Sequence, residues 1–183
     1  ETADHKEIEQ NYGKAVQAMY PIKGKRTRHY AFYDELDIKQ LSEDRLMEDV
    51  FEDALKNGEF QLWYQPKVDP VTGNILGAEA LIRWKRPDGT MLSPGKFIPL
   101  FEKNGNITTL DEYVFRTVCA QQQRWLQAGA KLYPISVNIS RVSLYYSNVV
   151  DKYRELLNSF QLDPKYVPLE ITESATINNS DIS

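Results

Sequence analysis

Beyond Gly58 the apolar and polar positions fall into a succession of short periodic blocks. Phe60, Leu62 and Tyr64 alternate with Gln61, Trp63 and Gln65, the two-residue period of a strand that buries one face. Asp69-Pro70-Val71-Thr72-Gly73-Asn74 is turn chemistry, and the chain runs extended again from Ile75 to Trp84. So short a connection predicts that these two strands are antiparallel. After a Pro87-Asp88-Gly89 turn, Ser93-Pro94 opens a helix, with Ser as cap and Pro at the first helical position. Thr109-x-x-Glu112 reads as a capping box at the head of a helix carrying Leu110, Val114, Val118, Trp125 and Leu126, closed by Gly129. Tyr133 to Ser140 then reads as strand, Ser143 to Phe160 as helix and Val167 to Thr172 as strand. This alternation predicts an α/β fold whose later strands are parallel.

The chain before Gly58 is organised differently. Ser42 to Asn57 predicts one helix with Leu46, Val50, Phe51 and Leu55 on a face, Glu43 and Asp44 in the first turn and Gly58 as the stop. Further upstream, Ile8, Tyr12, Ala15, Val16 and Met19 have the spacing of a surface helix, and His29 to Tyr33 reads as a strand. A helix and one strand bury no core alone, so this piece either packs on the α/β segments after it or ends a domain that begins upstream. The expected division is a tail over 1–33, a linker helix over 34–57 and an α/β unit over 58–183.

Composition narrows the chemistry. With 42% hydrophobic and 11% aromatic residues in 183, the chain can bury a core and is not expected to be disordered. A single Cys excludes an internal disulfide and any C-x-x-C grouping, and there are only two His, so a metal would be held mostly by oxygen ligands. A formal charge of -4 gives no field for gripping DNA or RNA. No stretch approaches the roughly 20 apolar residues that span a bilayer, and Glu1 to Gln10 lacks the apolar core of a signal peptide. A cytoplasmic segment without membrane contact is the expectation, an upstream membrane or sensor region being left open.

The phase of the later strands carries the most information. In one, Glu79, Leu81 and Arg83 share a face opposite Ala78, Ala80, Ile82 and Trp84. In the next, Ser136, Asn138 and Ser140 oppose Ile135, Val137 and Ile139; in the last, Glu170 opposes Val167, Leu169 and Ile171. Carboxylates and a carboxamide gathered on one face repel and are costly to desolvate unless a cation neutralises them. Such oxygen donors suit Mg²⁺ or Mn²⁺, and Arg83 could hold an anion beside the metal, a combination that points to phosphoryl chemistry. The same alternation also describes a half-solvated antiparallel sheet, and spacing alone leaves both readings open.

These residues resemble a known family. The run Tyr64-Gln65-Pro66, then Gly77-Ala78-Glu79-Ala80-Leu81-Ile82-Arg83-Trp84, Leu92-Ser93-Pro94 with Phe97-Ile98-Pro99, Val137-Asn138-Ile139-Ser140, and Leu169-Glu170-Ile171-Thr172-Glu173-Ser174 is similar to the EAL-domain family of cyclic di-GMP phosphodiesterases. The likeness covers Gly58 to about Asn178, the first half of such a domain. It implies an incomplete modified TIM barrel with an antiparallel first strand, and hydrolysis of cyclic di-GMP to linear pGpG with Mg²⁺ or Mn²⁺. By motif position Glu79, Asn138 and Glu170 would be metal ligands, and Glu79 and Glu173 catalytic residues, Glu173 anchoring a loop that controls metal and dimer geometry. Gln65, Leu81, Arg83 and Pro94 would line the substrate, with Arg83 on a phosphate. A homodimer through this domain is a further implication. The family continues with an Asp-Asp-Phe-Gly segment and a catalytic Lys, which do not occur before Ser183. Barrel closure takes about 8 strands and roughly 200 to 250 residues, so the expectation is a fragment of a longer protein with little or no hydrolysis of its own. The amino-terminal piece resembles the last helix and strand of a GGDEF domain, without that domain's signature residues. The alternatives to an enzyme are a sensor that binds cyclic di-GMP and a protein-interaction scaffold.

Cys119 reads as a small buried hydrophobe, the Lys23 to Arg28 cluster as a solvated loop, and Gly73-x-x-x-Gly77 as a turn followed by a close-packed strand.

Overall fold

A computed structural model describes residues 8, 11–16, 35–145 and 148–171. The chain divides into two units, Glu1–Val50 and Phe51–Ser183. In the first, residues 11–16 are helical, as expected, and α1 spans Glu35–Asp49. The strand expected at His29 to Tyr33, and with it most of the GGDEF-like tail, lies outside the described residues.

The second unit begins with α2 (Phe51–Lys56). Where one helix over Ser42 to Asn57 was expected, the helical run is broken at Val50. Glu52 and Asp53 occupy the first turn of α2 and favour a separate helix start there. Phe51 and Ala54 are buried, whereas Leu46 of the expected stripe is 58% exposed. Gly58, at φ 68°, ends the segment as anticipated.

Strands β1 (Phe60–Val68) and β2 (Ile75–Lys85) form an antiparallel pair from Phe60↔Trp84 to Lys67↔Gly77, with an irregularity after Lys67. The turn between them is held by Asp69, whose Oδ1 accepts from the backbone N–H groups of Val71 and Thr72 at 2.8 and 3.0 Å. β3 (Met91–Leu92) adds a short antiparallel contact to β2. α3 (Pro94–Asn104) starts at Pro94 as predicted, but Ser93 makes no side-chain cap bond. α4 (Ile107–Gln127) starts before the expected capping box, so Thr109 is already helical. Gly105 in the left-handed region closes α3, and Asn106 launches α4 at once.

β4 (Ile135–Ile139) comes next, then α5 (Arg141–Leu144), α6 (Val149–Ser159), a 3₁₀ turn (Pro164–Tyr166) and β5 (Leu169–Ile171). The expected helix from Ser143 to Phe160 is thus two helices. Ser140 starts the first of them by accepting from Ser143 N–H at 3.2 Å. The sheet runs β1-β2-β4-β5, antiparallel at β1/β2 and parallel afterwards. This is the α/β architecture of an incomplete TIM-like barrel with an antiparallel first strand.

One face of the sheet carries the core. An aromatic group of Phe51, Phe60, Trp84, Phe97 and Phe101 plugs one end, with the Phe51 and Phe101 ring centroids 4.7 Å apart. Ala80, Val114, Val118, Cys119, Ile135, Val137 and Ile139 continue it along α4, each fully buried large apolar side chain contributing about 1.5–3 kcal/mol. Gln122 is buried among them and donates to the carbonyls of Tyr133 and Tyr166 at 2.7 and 3.1 Å, tying α4 to the entries of β4 and β5. The apolar stripe of α4 ends before Trp125 and Leu126, which are exposed. Of the apolar positions expected on the last strand, Val167 is buried while Leu169 and Ile171 are exposed.

Candidate functional site

The packing of Ala80 and Trp84 against the helices turns Glu79, Leu81 and Arg83 to the opposite face of β2. Gln65 lies directly across from Glu79 in the β1/β2 register. On β4, burial of Ile135, Val137 and Ile139 turns Ser136 and Asn138 to that same face. Glu79 is level with Ser136, and Asn138, two residues further along, is level with Glu170. The oxygen donors therefore climb diagonally across the sheet, as the stagger of barrel strands requires.

Asn138 Nδ2 donates to Glu79 Oε1 at 2.7 Å, so these two expected ligands are in direct contact. Glu170 joins the group through a residue the sequence pattern did not single out. Lys67 Nζ donates to Glu170 Oε1 and, at 2.8 Å, to Ser136 Oγ. The Lys67 hydrogen bond holds the Glu170 carboxyl below the usual carboxylate range, against a smaller opposing effect of burial. Lys67 shares the face of Gln65 by two-residue spacing, and that alternation was the available signal.

Arg83 is on the expected face, with its Nη1 donating to the Ile82 carbonyl at 2.8 Å and its guanidinium 5.9 Å from the centroid of the exposed Trp63 ring. Leu81 and Pro94 line a cavity of about 350 Å³ together with Ile98, Asn138, Glu102 and Asp111. Gln65 is exposed beside Glu79 and is not among the cavity residues. Glu173 lies outside the described residues.

Asp111 is the second residue that the sequence pattern did not reveal. It is buried in α4, and its Oδ2 accepts from Ser140 N–H at 2.9 Å and from Ser143 Oγ at 2.7 Å. Burial pushes its carboxyl above the usual range, an effect these serine bonds partly offset. Burial and the neighbouring Asp111 charge likewise raise Glu102. Asp111 thereby fastens the chain at Ser140, immediately after the strand that carries Asn138.

Among the described residues no three Asp, Glu, His or Cys side chains cluster as metal ligands. The donors on this face are two carboxylates and an amide, an all-oxygen set that fits a hard divalent cation. The face thus combines such a set with a lysine, an arginine beside an exposed tryptophan, and a mostly apolar cavity at the carboxyl ends of β2 and β4, where α/β barrels bind ligands.

The chain is similar to known proteins. The bifunctional diguanylate cyclase/cyclic di-GMP phosphodiesterase MucR of Pseudomonas aeruginosa is 34% identical over 170 residues, covering 92% of this chain and 25% of that protein. The cyclic di-GMP phosphodiesterase NbdA of the same organism is 29% identical over 97% of this chain and 23% of its own length. The solved structure of the MucR phosphodiesterase in its c-di-GMP complex superposes with a TM-score of 0.66 at 35% identity, covering 74% of this chain and 55% of that one. The chain therefore spans about a quarter of the length of these curated relatives. The EAL domain model matches residues 48–182, the stretch that contains every strand of the sheet and every donor described above, and the chain belongs to the EAL domain family.

Proposed function

We propose that this chain contributes the first half of a site that binds cyclic di-GMP and, in the full-length protein, hydrolyses it with a divalent cation to linear pGpG. The observation that carries the reading is the Asn138–Glu79 hydrogen bond of 2.7 Å with Glu170 level with Asn138 on the next strand. It supports a shared oxygen-donor face rather than three unrelated surface groups. The MucR and NbdA likenesses support cyclic di-GMP as the substrate in this reading.

Glu79, Asn138 and Glu170 would hold Mg²⁺ or Mn²⁺, Glu79 also acting in catalysis. Once bound, such a cation polarises a phosphoryl oxygen and lowers the pKa of water. Arg83 neutralises a phosphate, released from the Ile82 carbonyl and still supported by the Trp63 ring. Leu81 and Pro94 form apolar walls for a flat base, and Gln65 orients substrate beside Glu79. Glu102 and Asp111 place acceptors in the same cavity, where the N–H edge of a guanine could pair. Glu173 would anchor the loop after β5, and the domain would act as a cytoplasmic homodimer. No described helix is long and apolar enough to cross a membrane.

Liquid chromatography of cyclic di-GMP incubated with the full-length protein and Mn²⁺ tests this reading. Appearance of pGpG, abolished by EDTA, is the expected result. A second reading, a metal-independent sensor, is favoured by the Lys67–Glu170 pair, which gives the site a cation of its own. Cyclic di-GMP binding that persists in EDTA and in Glu79→Ala, with no pGpG formed, would replace the enzyme by that sensor.

A further inference from the structure

Lys67 stands on β1, yet its ammonium reaches Ser136 on β4 and Glu170 on β5, passing over β2. The path is open because the residue opposite Lys67 on β2 is Gly77, which has no side chain to block it. Adjacent strands are about 4.8 Å apart, so curvature of the sheet is also needed for a lysine stem to cover the distance. The result is a cation placed by the fold beside a carboxylate that the proposed function assigns to a metal. From this geometry we infer that Lys67 is an internal competitor for Glu170: it neutralises the carboxylate itself and must be displaced for a divalent cation to bind there.

Two physical consequences make this testable. The Lys67 and Glu170 side chains are 44% and 41% exposed, so the pair is only partly screened from solvent. Ion pairs of this kind oppose a competing ligand by up to about fivefold in affinity. A lysine left near a bound divalent cation also repels it, and that repulsion adds to the same direction. Removing the charge should therefore tighten metal binding, the opposite of what loss of a structural residue does.

The inference rests on the metal-site reading, and the experiment separates the two. Mn²⁺ titrations of the full-length protein are followed by calorimetry for wild type, Lys67→Met, Lys67→Arg and Glu170→Gln, with circular dichroism as a check on folding. Lys67→Met is expected to tighten Mn²⁺ binding about five- to tenfold, and Lys67→Arg, which keeps the competing charge, to stay within about twofold of wild type. Raising NaCl should narrow the difference between wild type and Lys67→Met, because the ion pair it removes is screened. Equal or weaker Mn²⁺ binding by a folded Lys67→Met overturns the competitor role while leaving the metal site standing. Binding to none of the variants, or binding untouched by Glu170→Gln, overturns the metal assignment of Glu170 and the inference with it.

Discussion

Replacing Gly77 by alanine sets two opposing effects against each other, and the structure decides the sign. Gly77 has no positive φ, and at such a position Gly→Ala ordinarily stabilises by about 0.4–1 kcal/mol through the unfolded chain. Here, however, an added Cβ would lie 2.6 Å from the Pro134 carbonyl oxygen. That oxygen cannot swing away like a side-chain tip, since it is backbone and accepts from Ala78 N–H at 2.8 Å. Overpacking of this sort costs about 1–3 kcal/mol, and weakening the Ala78 bond about 1 kcal/mol more. The net expectation is a destabilisation of about 2 kcal/mol, or about 4–8 °C in Tm for a unit of this size. Thermal unfolding of the full-length protein, followed by the fluorescence of fully buried Trp84, provides the assay. Gly58→Ala serves as the comparison, since its added Cβ meets nothing within 4 Å and its cost comes from φ 68° alone, about 1 kcal/mol. An unchanged or raised Tm for Gly77→Ala would refute the close approach of β2 to the entry of β4.

The same packing leads to further expected outcomes. Burial pushes the Cys119 thiol up to about 12, so a thiol reagent at pH 8 should leave it unmodified until the protein is denatured; rapid labelling of native protein would contradict its place in the core. Asp111→Ala should cost about 1–3 kcal/mol in urea denaturation by stranding Ser140 N–H and the Ser143 hydroxyl, and a neutral result would remove Asp111 from the support of β4. The Asp111 carboxyl is raised in the folded state, so the native protein binds more protons than the unfolded chain above about pH 4, and this group's contribution to stability falls as pH rises through the raised value. Asp111→Asn should flatten that decline in Tm as pH rises above about 4, whereas a parallel profile would show that the carboxyl titrates normally. Arg83→Met is expected to weaken cyclic di-GMP binding about tenfold or more, the worth of a hydrogen bond to a charged phosphate; unchanged affinity in calorimetry would exclude Arg83 from the phosphate.

The strands were legible because their alternation reports which face is buried, and Phe60, Trp84, Val137 and their neighbours obey it closely. The antiparallel start followed from the length of the Asp69 to Asn74 turn. Helix boundaries were less legible, since tertiary contacts override local signals. Thr109 and Glu112 match a capping box, yet Gly105 and Asn106 start α4 earlier. The separate start of α5 depends on Ser140 and Ser143, which bond each other and, through the Ser140 N–H and the Ser143 hydroxyl, Asp111 of another helix. β3 is two residues long and has no period to detect. In the site, Glu79, Asn138 and Glu170 were visible as donors in phase. Lys67 was not, because its alternation with Gln65 gives only its face, and nothing local shows that its ammonium reaches β4 and β5. Asp111 was not singled out, because only the fold brings it to Ser140 and Ser143.

Assignment of the metal to Glu79, Asn138 and Glu170 is tested most directly by Mn²⁺-dependent turnover of cyclic di-GMP by the full-length protein, compared between wild type and Glu79→Gln by chromatography of the products. Wild type should yield pGpG, with a loss of at least about a hundredfold when the Glu79 carboxylate is replaced by a neutral amide. Turnover that survives in Glu79→Gln would contradict the placement of the metal on these three residues.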